Sequence, residues 1–554
     1  MTRMIIDPVT RIEGHLRVEV EIEGGKVKDA WSSGTLFRGF EIFMRGRDPR
    51  DAWFIAQRVC GVCTSVHALA SVACVEDSSG VSVPDNARII RNLILGAQYL
   101  HDHPVHFYHL HALDWVDVVS ALGADPVKAA SFASNHNSSS TDSVSHFKEV
   151  KQRLKKFVDS GQLGPFANGY WGHPAYHLPS EVNLMAVSHY LEALEVQRKA
   201  AQMMAIFGGK NPHIQTSVPG GVTVASLLNV ETITKFRFAM KEAMDFITRV
   251  YIPDVLAIAP LYLDWAGYGA SHGNYLAWGM MPQDSGSHTK NTTFPSGMIL
   301  NRDLAKVFEV DPQKVTEHVK HSWYENSEPL NPQHGKTEPQ YTGLNDFKGI
   351  DVEKNPKYSW LKAPRYENRP MEVGPLARVL IAYAKGVPGI QSIVNGVLTQ
   401  LNVKPAALFS TFGRVAARAL ETVYIGNQMD YWLNQLLDNI SLGKLETYTS
   451  HEIPTKGMGY GTLEAPRGAL AHWIEIQDKR IQNYQLVVPT TWNVAPRDDF
   501  QVRGPLEEAL IGTPVARADQ PLEILRTIHS FDPCIACAVH VIDPKTNEVM
   551  KIKA

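Results

Sequence analysis

The sequence is poor in cysteine, and this scarcity excludes one class of protein. Only five cysteines occur in 554 residues, too few for a disulfide framework to hold a chain of this length. Four of them form two C-x-x-C pairs, which suits metal binding or redox chemistry better. The fifth, Cys74, has no pairing partner, and we expect it to be a buried small apolar residue.

Long apolar runs and a strong net charge are also missing. No stretch of 18 or more apolar residues occurs, which predicts no transmembrane helix, and residues 1–8 lack the apolar stretch of a signal peptide. If the protein is exported, we expect a partner to carry the signal. The net charge of −3 gives no reason to expect nucleic-acid binding. A hydrophobic content of 44% is enough for a large core.

The periodicity of the chain predicts an α+β fold that is predominantly helical. Residues 15–32 alternate around Gly24-Gly25, which is typical of a β-hairpin with a solvated acidic face at Glu19, Glu21 and Glu23. A second hairpin is expected within residues 470–495. Helical patterns cover residues 52–57, 64–77, 183–206, 230–250, 375–385 and 403–442. We expect one large integrated fold, with a central helix bundle and small antiparallel β elements near both termini.

Two further stretches carry specific expectations. Residues 265–370 are rich in Gly, Pro, Asn and Ser, which predicts long ordered surface loops. Five histidines occur within residues 101–111, but their spacing scatters them around a helix with Pro104 in its first turn. We interpret them as packing and hydrogen-bonding residues rather than a metal site.

The two cysteine pairs lie near opposite ends of the chain. Cys60 and Cys63 belong to R-V-C-G-V-C-T-S-V-H, and Cys534 and Cys537 belong to D-P-C-I-A-C-A-V-H. Each pair alone could be a redox dithiol or half a zinc site. If the pairs meet, four thiolates converge, and zinc or an iron–sulfur cluster would be the simplest occupant. The last helix should begin near Asp532-Pro533, with both cysteines of its pair in the first turn, where helix N–H groups favour thiolate.

The residues around the pairs resemble the two signatures of the [NiFe] hydrogenase large subunit. Three further blocks extend the resemblance over essentially the whole chain: D-P-V-T-R-I-E-G-H at residues 7–15, F-R-G-F-E at residues 37–41 and E-A-P-R-G at residues 464–468. Five blocks in this order are far more specific than a lone C-x-x-C. The resemblance implies a catalytic domain over residues 1–540 and a C-terminal extension over residues 541–554.

The resemblance also implies a metal centre. Nickel would be held by Cys60, Cys63, Cys534 and Cys537, and the second cysteine of each pair would bridge to an iron that carries carbon monoxide and two cyanides. The pocket around that iron would be lined by Pro466, Arg467, Pro489 and Thr490. His67 lies four residues after Cys63 on the same predicted helix face; it is either a core histidine bonded to a carbonyl or, as we prefer, a donor toward a cysteine sulfur. A magnesium-type ion would take Glu41, His540 and the backbone carbonyl of Leu486.

The implied reaction is the reversible cleavage of H2 into protons and electrons. H2 has no dipole and is a very weak acid, so a metal must accept hydride while a nearby base accepts the proton. The expected first base is Cys534, assisted by Arg467, with Asp102 and Asp532 as further site residues near it. Glu13 would relay the proton, because a carboxylate whose pKa is raised by burial suits proton exchange near neutral pH.

Electrons must leave through a partner, since no cysteines remain for an iron–sulfur relay. The resemblance implies an iron–sulfur small subunit that also carries the export signal, which favours a location at the periplasmic face of the membrane. It further implies nickel-insertion proteins and a maturation endopeptidase that cuts after His540.

Three alternatives stay open at this point. An H2-sensing regulatory hydrogenase would share the metal ligands. A scaffold such as the related quinone-binding subunit of respiratory complex I would lack the cysteine pairs. A structural zinc or cluster protein would need only the four thiolates.

Overall fold

The computed structural model describes residues 2–136, 139, 141–167, 169–285, 291–344 and 349–535. Helices account for 48% and strands for 17% of it, which confirms the predicted α+β class with helix predominant. The extension at residues 541–554 lies outside the described residues, so its separation from the rest stays a prediction.

The described part of the chain combines helices of varied length with mostly short strands. The helices are α1 Phe40–Phe43, α2 Ala52–Ala56, α3 Val66–Ser79, α4 Asp85–Pro104, α5 Pro126–His136, α6 Val144–Asp159, α7 Ser180–Gly208, α8 Val230–Phe246, α9 Ile252–Ile258, α10 Pro375–Ala384, α11 Pro388–Gln400, α12 Thr411–Ser441, α13 Pro489–Asn493, α14 Pro505–Leu510 and α15 Leu522–Ser530. The strands are β1 Thr2–Ile6, β2 Leu16–Glu23, β3 Lys26–Gly34, β4 Ser217–Val218, β5 Gly221–Val222, β6 Tyr275–Ala277, β7 Met280–Pro282, β8 Thr292–Phe294, β9 Gly297–Ile299, β10 Val315–His318, β11 Ala363–Tyr366, β12 Lys456–Ala465, β13 Gly468–Gln477 and β14 Arg480–Val487.

Long helices form the centre of the molecule. The helix α4 packs against α7 and α12, and α7 packs against α8. Because α4 is buried along nearly its whole length, its charged residues need partners. Arg91 accordingly binds Glu76, and His103 binds Glu421.

The stretch Val230–Gly267 contains α8, α9 and the short helical turns around them. It is long and apolar enough to cross a membrane by length and composition alone, but 56% of its most apolar window is buried inside the fold. That burial fits a core position beside α7 and α12.

The N-terminal hairpin has the predicted turn, but the face that carries Glu19 is not solvated as predicted. Gly24 and Gly25 both have positive φ, which only glycine adopts readily, and they join β2 to β3 in a three-stranded sheet with β1. The prediction that Glu19 is solvated is wrong. Its side chain is fully buried and accepts hydrogen bonds from Arg3 and Arg17, because the loop at Ile350, whose N–H also donates to Glu19, covers that face of the sheet.

Two other local predictions were wrong in position. Pro104 ends α4 rather than starting a helix, and the histidines after it lie in a π-helical turn, Val105–His111. Residues 265–370 do form loops with short strands, but not all of this stretch is on the surface. Trp278 and Trp323 are fully buried: Trp278 belongs to a cluster with Trp473 of the C-terminal sheet, and Trp323 packs against Tyr341 and Trp360 of the loop region itself.

The two ends of the chain meet in the interior. We call the place where they meet the terminal junction, residues 10–15, 58–63 and 529–535. The three-stranded sheet β12–β13–β14 borders it, and α3 packs across β12 and β13. Cys534 forms a parallel β-bridge with Glu13, and a helix begins at the next residue, Ile535. The expected helix therefore starts about two residues later than predicted, with Cys534 just before its first turn, and Cys537 lies outside the described residues.

Candidate metal centre

Three cysteine sulfurs from the two ends of the chain converge in the terminal junction. The Sγ atoms of Cys60, Cys63 and Cys534 lie within 4.8 Å of one another, and all three side chains are buried. The Sγ atoms of Cys60 and Cys534 are 3.4 Å apart. That is too far for a disulfide, whose S–S bond is about 2.05 Å. It matches two ligands on one ion, since metal–sulfur bonds of about 2.3 Å place neighbouring sulfurs roughly 3.3–3.8 Å apart.

The first pair is shaped by local backbone geometry. The backbone N–H groups of Val62 and Cys63 both donate to the Cys60 Sγ at 3.3 Å. Such bonds favour the thiolate over the thiol. The guanidinium of Arg38 donates to the carbonyl of Val59 and so holds the residue before the pair. Gly61, between the two buried cysteines, is exposed, so the loop reaches the surface while its sulfurs point inward.

The second pair is represented by Cys534, which is held from two sides. Its backbone N–H donates to Thr490 Oγ1 at 3.0 Å, and the N–H of Ile535 donates to the carbonyl of Glu13 at 2.7 Å. This bridge places the Cys534 Sγ 3.4 Å from Glu13 Oε2. The backbone pairing therefore brings a candidate proton acceptor and a candidate proton carrier close together.

A small cavity adjoins the sulfurs. Its lining consists of Cys63, Val66, His67, Ala465, Arg467, Leu470, Pro489, Thr490 and Cys534. The lining is apolar except for two hydrogen-bond donors, Arg467 and Thr490, and the imidazole of His67. Pro466, expected there, is not among the lining residues; its carbonyl instead accepts a hydrogen bond from Arg378.

Arg467 is held over the cavity by two carboxylates. Its Nη1 lies 3.3 Å from Asp102 Oδ2, and its Nη2 lies 3.1 Å from Asp532 Oδ1. Burial alone would lower the pKa of Arg467, but Asp532, the Cys534 sulfur and Asp102 outweigh it and hold that pKa well above its usual range. The guanidinium is thus a permanent cation beside the sulfurs.

His67 also lines the cavity and is buried. Burial lowers the pKa of His67 to about 4, so its ring is neutral near pH 7. Its Nδ1 lies 3.1 Å from His472 Nε2, and His472 Nδ1 lies 2.8 Å from the Tyr484 hydroxyl. These two hydrogen bonds orient the His67 imidazole, which lines the cavity.

The predicted magnesium-type site is a buried oxygen-rich cluster. Glu41 Oε1 accepts a hydrogen bond from the N–H of Leu486 at 3.0 Å, and its other oxygen accepts from Thr337. The ammonium of Lys362 lies 3.5 Å from Glu41 and 2.9 Å from Gln485 Oε1. Hard oxygen donors of this kind suit magnesium. Cys537 and His540, the remaining expected ligands, lie outside the described residues.

Sequence reasoning missed several residues that shape the site. Asp114 binds both Arg11 and His529 and so links the 10–15 segment of the terminal junction to the 529–535 segment. Lys362 lies in a loop stretch with no periodicity, so no sequence signal singled it out. Glu464 does belong to a recognised block, but its role as a partner of Arg378 could not be inferred from its position there.

Comparisons with known families agree with the geometry. A family model described as nickel-dependent hydrogenase matches residues 38–540, and a model described as HoxL-like matches residues 3–33. The chain is 47% identical to the uptake hydrogenase large subunit of Bradyrhizobium diazoefficiens, with 100% of this chain and 97% of the relative covered. It is 45% identical to the hydrogenase-2 large chain of Escherichia coli K12, with 100% and 99% covered.

Solved structures show the same fold. The [NiFeSe] hydrogenase of Desulfovibrio vulgaris Hildenborough in the reduced state superposes with a TM-score of 0.79 at 37% identity. The match covers 97% of this chain and 100% of that chain.

Proposed function

The chain belongs to the nickel-dependent hydrogenase family and is the catalytic large subunit of an enzyme that acts on H2, and from this premise we propose how its residues divide the work. Cys60, Cys63, Cys534 and Cys537 would hold the nickel, and Cys63 and Cys537 would also serve as ligands of the iron. The observation that carries this assignment is the convergence of three buried sulfurs from opposite ends of the chain.

The small cavity beside the sulfurs suits the diatomic ligands of the iron. Arg467 and the Thr490 hydroxyl can donate hydrogen bonds to cyanide nitrogens, because Thr490 Oγ1 already accepts from the Cys534 N–H and keeps its own proton to donate. Pro489 and Leu470 form an apolar wall, which suits carbon monoxide.

The nickel–iron group, when bound, supplies the electrophilic centre at which H2 is polarised. The chain supplies the bases. The Cys534 sulfur accepts the proton, and the positive charge of Arg467 favours the thiolate form that must do so. Glu13, 3.4 Å from that sulfur, takes the proton onward. Glu13 is only partly buried and Gly14 beside it is exposed, so the relay leads toward solvent.

The oxygen-rich cluster at Glu41 would hold a magnesium-type ion, with the Leu486 carbonyl and His540 as further ligands. Its support is the buried donor set of Glu41 and Gln485, which fits a hard cation.

Large subunits of this family pair with a small subunit, and we place that partner over the exposed loop at Gly61. Phe54, on α2 just before this loop, and Phe43, on α1, are 45% and 40% exposed, and a docked partner would remove these apolar side chains from water. A partner there would bring its iron–sulfur clusters close to the metal centre. We propose that the same partner carries the export signal and that the enzyme works at the periplasmic face of the membrane.

Maturation removes the tail. We propose that nickel-insertion proteins act on an open precursor and that an endopeptidase then cuts the bond from His540 to Val541. The family match ends at residue 540, which supports this boundary. Intact-mass measurement of active enzyme tests it, because a chain ending at Ala554 in a nickel-loaded, working sample would refute the processing step.

The purified complex with its small subunit provides the functional test. H2-dependent reduction of a viologen dye, together with H/D exchange between D2 and water, should both proceed. The names of the relatives favour the catalytic subunit over the H2 sensor. Turnover that stays orders of magnitude below that of ordinary enzymes, with a kinase bound, would reverse this preference.

A further inference from the structure

A buried arginine lies directly behind the turn that carries Arg467. Arg378, on α10, is fully buried, and all five of its N–H donors are used. Two bind Glu421 at 2.7 and 2.9 Å, and one binds Glu464 at 2.7 Å. The other two bind the carbonyls of Ala465 and Pro466, both at 2.9 Å.

These last two bonds fix the backbone immediately before Arg467. The helix that carries Arg378 starts right against the same turn, because Gly374 at its N-cap has φ 123° and a Cβ there would lie 2.9 Å from the Arg467 carbonyl. Only glycine permits this approach. The carbonyls of residues 465 and 466 are thus held from one side by a planar, pre-organised fork.

The same cluster also holds the partner of Arg467. On α4, His103 binds Glu421 at 2.6 Å and the Tyr99 hydroxyl donates to the Glu464 carbonyl at 3.0 Å. Asp102, the residue before His103, binds Arg467 itself. One buried cluster therefore sets the position of both members of the Arg467–Asp102 ion pair.

We propose that Arg378 is a positioning residue for H2 cleavage, which holds the Arg467 guanidinium at a fixed distance from the sulfurs and the diatomic ligands. This inference rests on the proposed role of Arg467 at the metal centre. Arg378 does not line the cavity, so it acts through the 465–467 backbone and, by way of Glu421 and His103, through the segment that carries Asp102.

The test compares two buried arginines in the assembled heterodimer. Arg378→Lys keeps the charge but cannot reach two carboxylates and two carbonyls at once. Arg365→Lys is the matched control, because Arg365 is equally buried and binds Asp498 and the carbonyls of Pro364 and Val502. Both variants should lower Tm. Only Arg378→Lys should shift the infrared bands of the cyanides and lower kcat by about 10–100-fold with KM for H2 within twofold, since a displacement near 1 Å costs that much.

Unshifted bands with normal kcat in Arg378→Lys would overturn the inference, and so would equal shifts in both variants. If Arg378→Lys does not assemble, Glu421→Gln is measured in its place, because glutamine keeps the shape of the glutamate but removes the negative charge that two N–H groups of Arg378 bind. A smaller shift of the cyanide bands is then expected. No shift would overturn the inference. A wild-type enzyme without nickel, iron or such bands would instead refute the proposed function, so the two failures are distinguishable.

Discussion

The helix bundle and the terminal junction are both buried, yet their polar groups are arranged differently. In the bundle, His189 lies between Asp142 and Asp254 at 3.0 and 2.8 Å, so each buried charge has an opposite charge beside it. In the junction, three sulfurs face one another, and like groups crowded together are costly unless a cation joins them. Pairing in the bundle serves stability, whereas the junction is arranged for a metal.

Two buried cysteines provide the sharpest contrast between these regions. Cys534→Ser should abolish H2 oxidation, because serine is a poor ligand for nickel and a poor proton acceptor in this position. Cys74→Ser should leave turnover largely intact, because Cys74 lies on the face of α3 that packs against β12. Its Sγ is 3.5 Å from the Gly459 carbonyl. Burial raises the pKa of the Cys74 thiol well above its usual range, so it is chemically inert. H2-dependent dye reduction by both variants checks this. Equal loss in the two would show that the enzyme fails for structural reasons.

Substitutions at two glutamates should separate an effect on proton exchange from an effect on stability. Glu13→Gln keeps the shape of the side chain but removes its titratable proton, so the metals should assemble while H/D exchange with solvent is lost. Glu19→Gln should do the reverse: it weakens a buried pair with Arg3 and Arg17 and should cost about 3 kcal/mol of stability with exchange retained. Metal content, exchange rate and Tm are measured for both. Wild-type exchange in Glu13→Gln would place the proton relay elsewhere.

The smallest effect on H2 turnover is expected from a change confined to the helix bundle. Burial alone would lower the pKa of His189, but Asp254 and Asp142 raise it to about 10. Because the folded-state pKa lies above the unfolded value of about 6.5, the stabilisation is fully present below pH 6.5 and is lost as the pH rises through about 10. His189→Gln should therefore lower Tm at pH 6 and approach wild type by pH 10, with kcat unchanged. A Tm difference that does not depend on pH would contradict this pairing.

The two regions also differ in how far the sequence predicts them. Periodicity placed α7, α12 and both hairpins, because one face of each is apolar. The five motif blocks identified Cys60, Cys534 and Arg467, since those residues carry the chemistry. Periodicity could not reveal that Glu19 is covered by a distant loop, or that the fork of Arg378 reaches Glu421 and Glu464 across the fold, because such contacts depend on tertiary packing that leaves no local pattern.

The central claim is that the terminal junction holds a nickel–iron centre. Metal analysis of the purified heterodimer combined with infrared spectroscopy tests it most directly. Nickel bound to the large subunit in a one-to-one ratio with its non-cluster iron, together with one carbon monoxide and two cyanide bands, is the predicted result. A mature, active sample that contains zinc alone and shows no such bands would contradict the account.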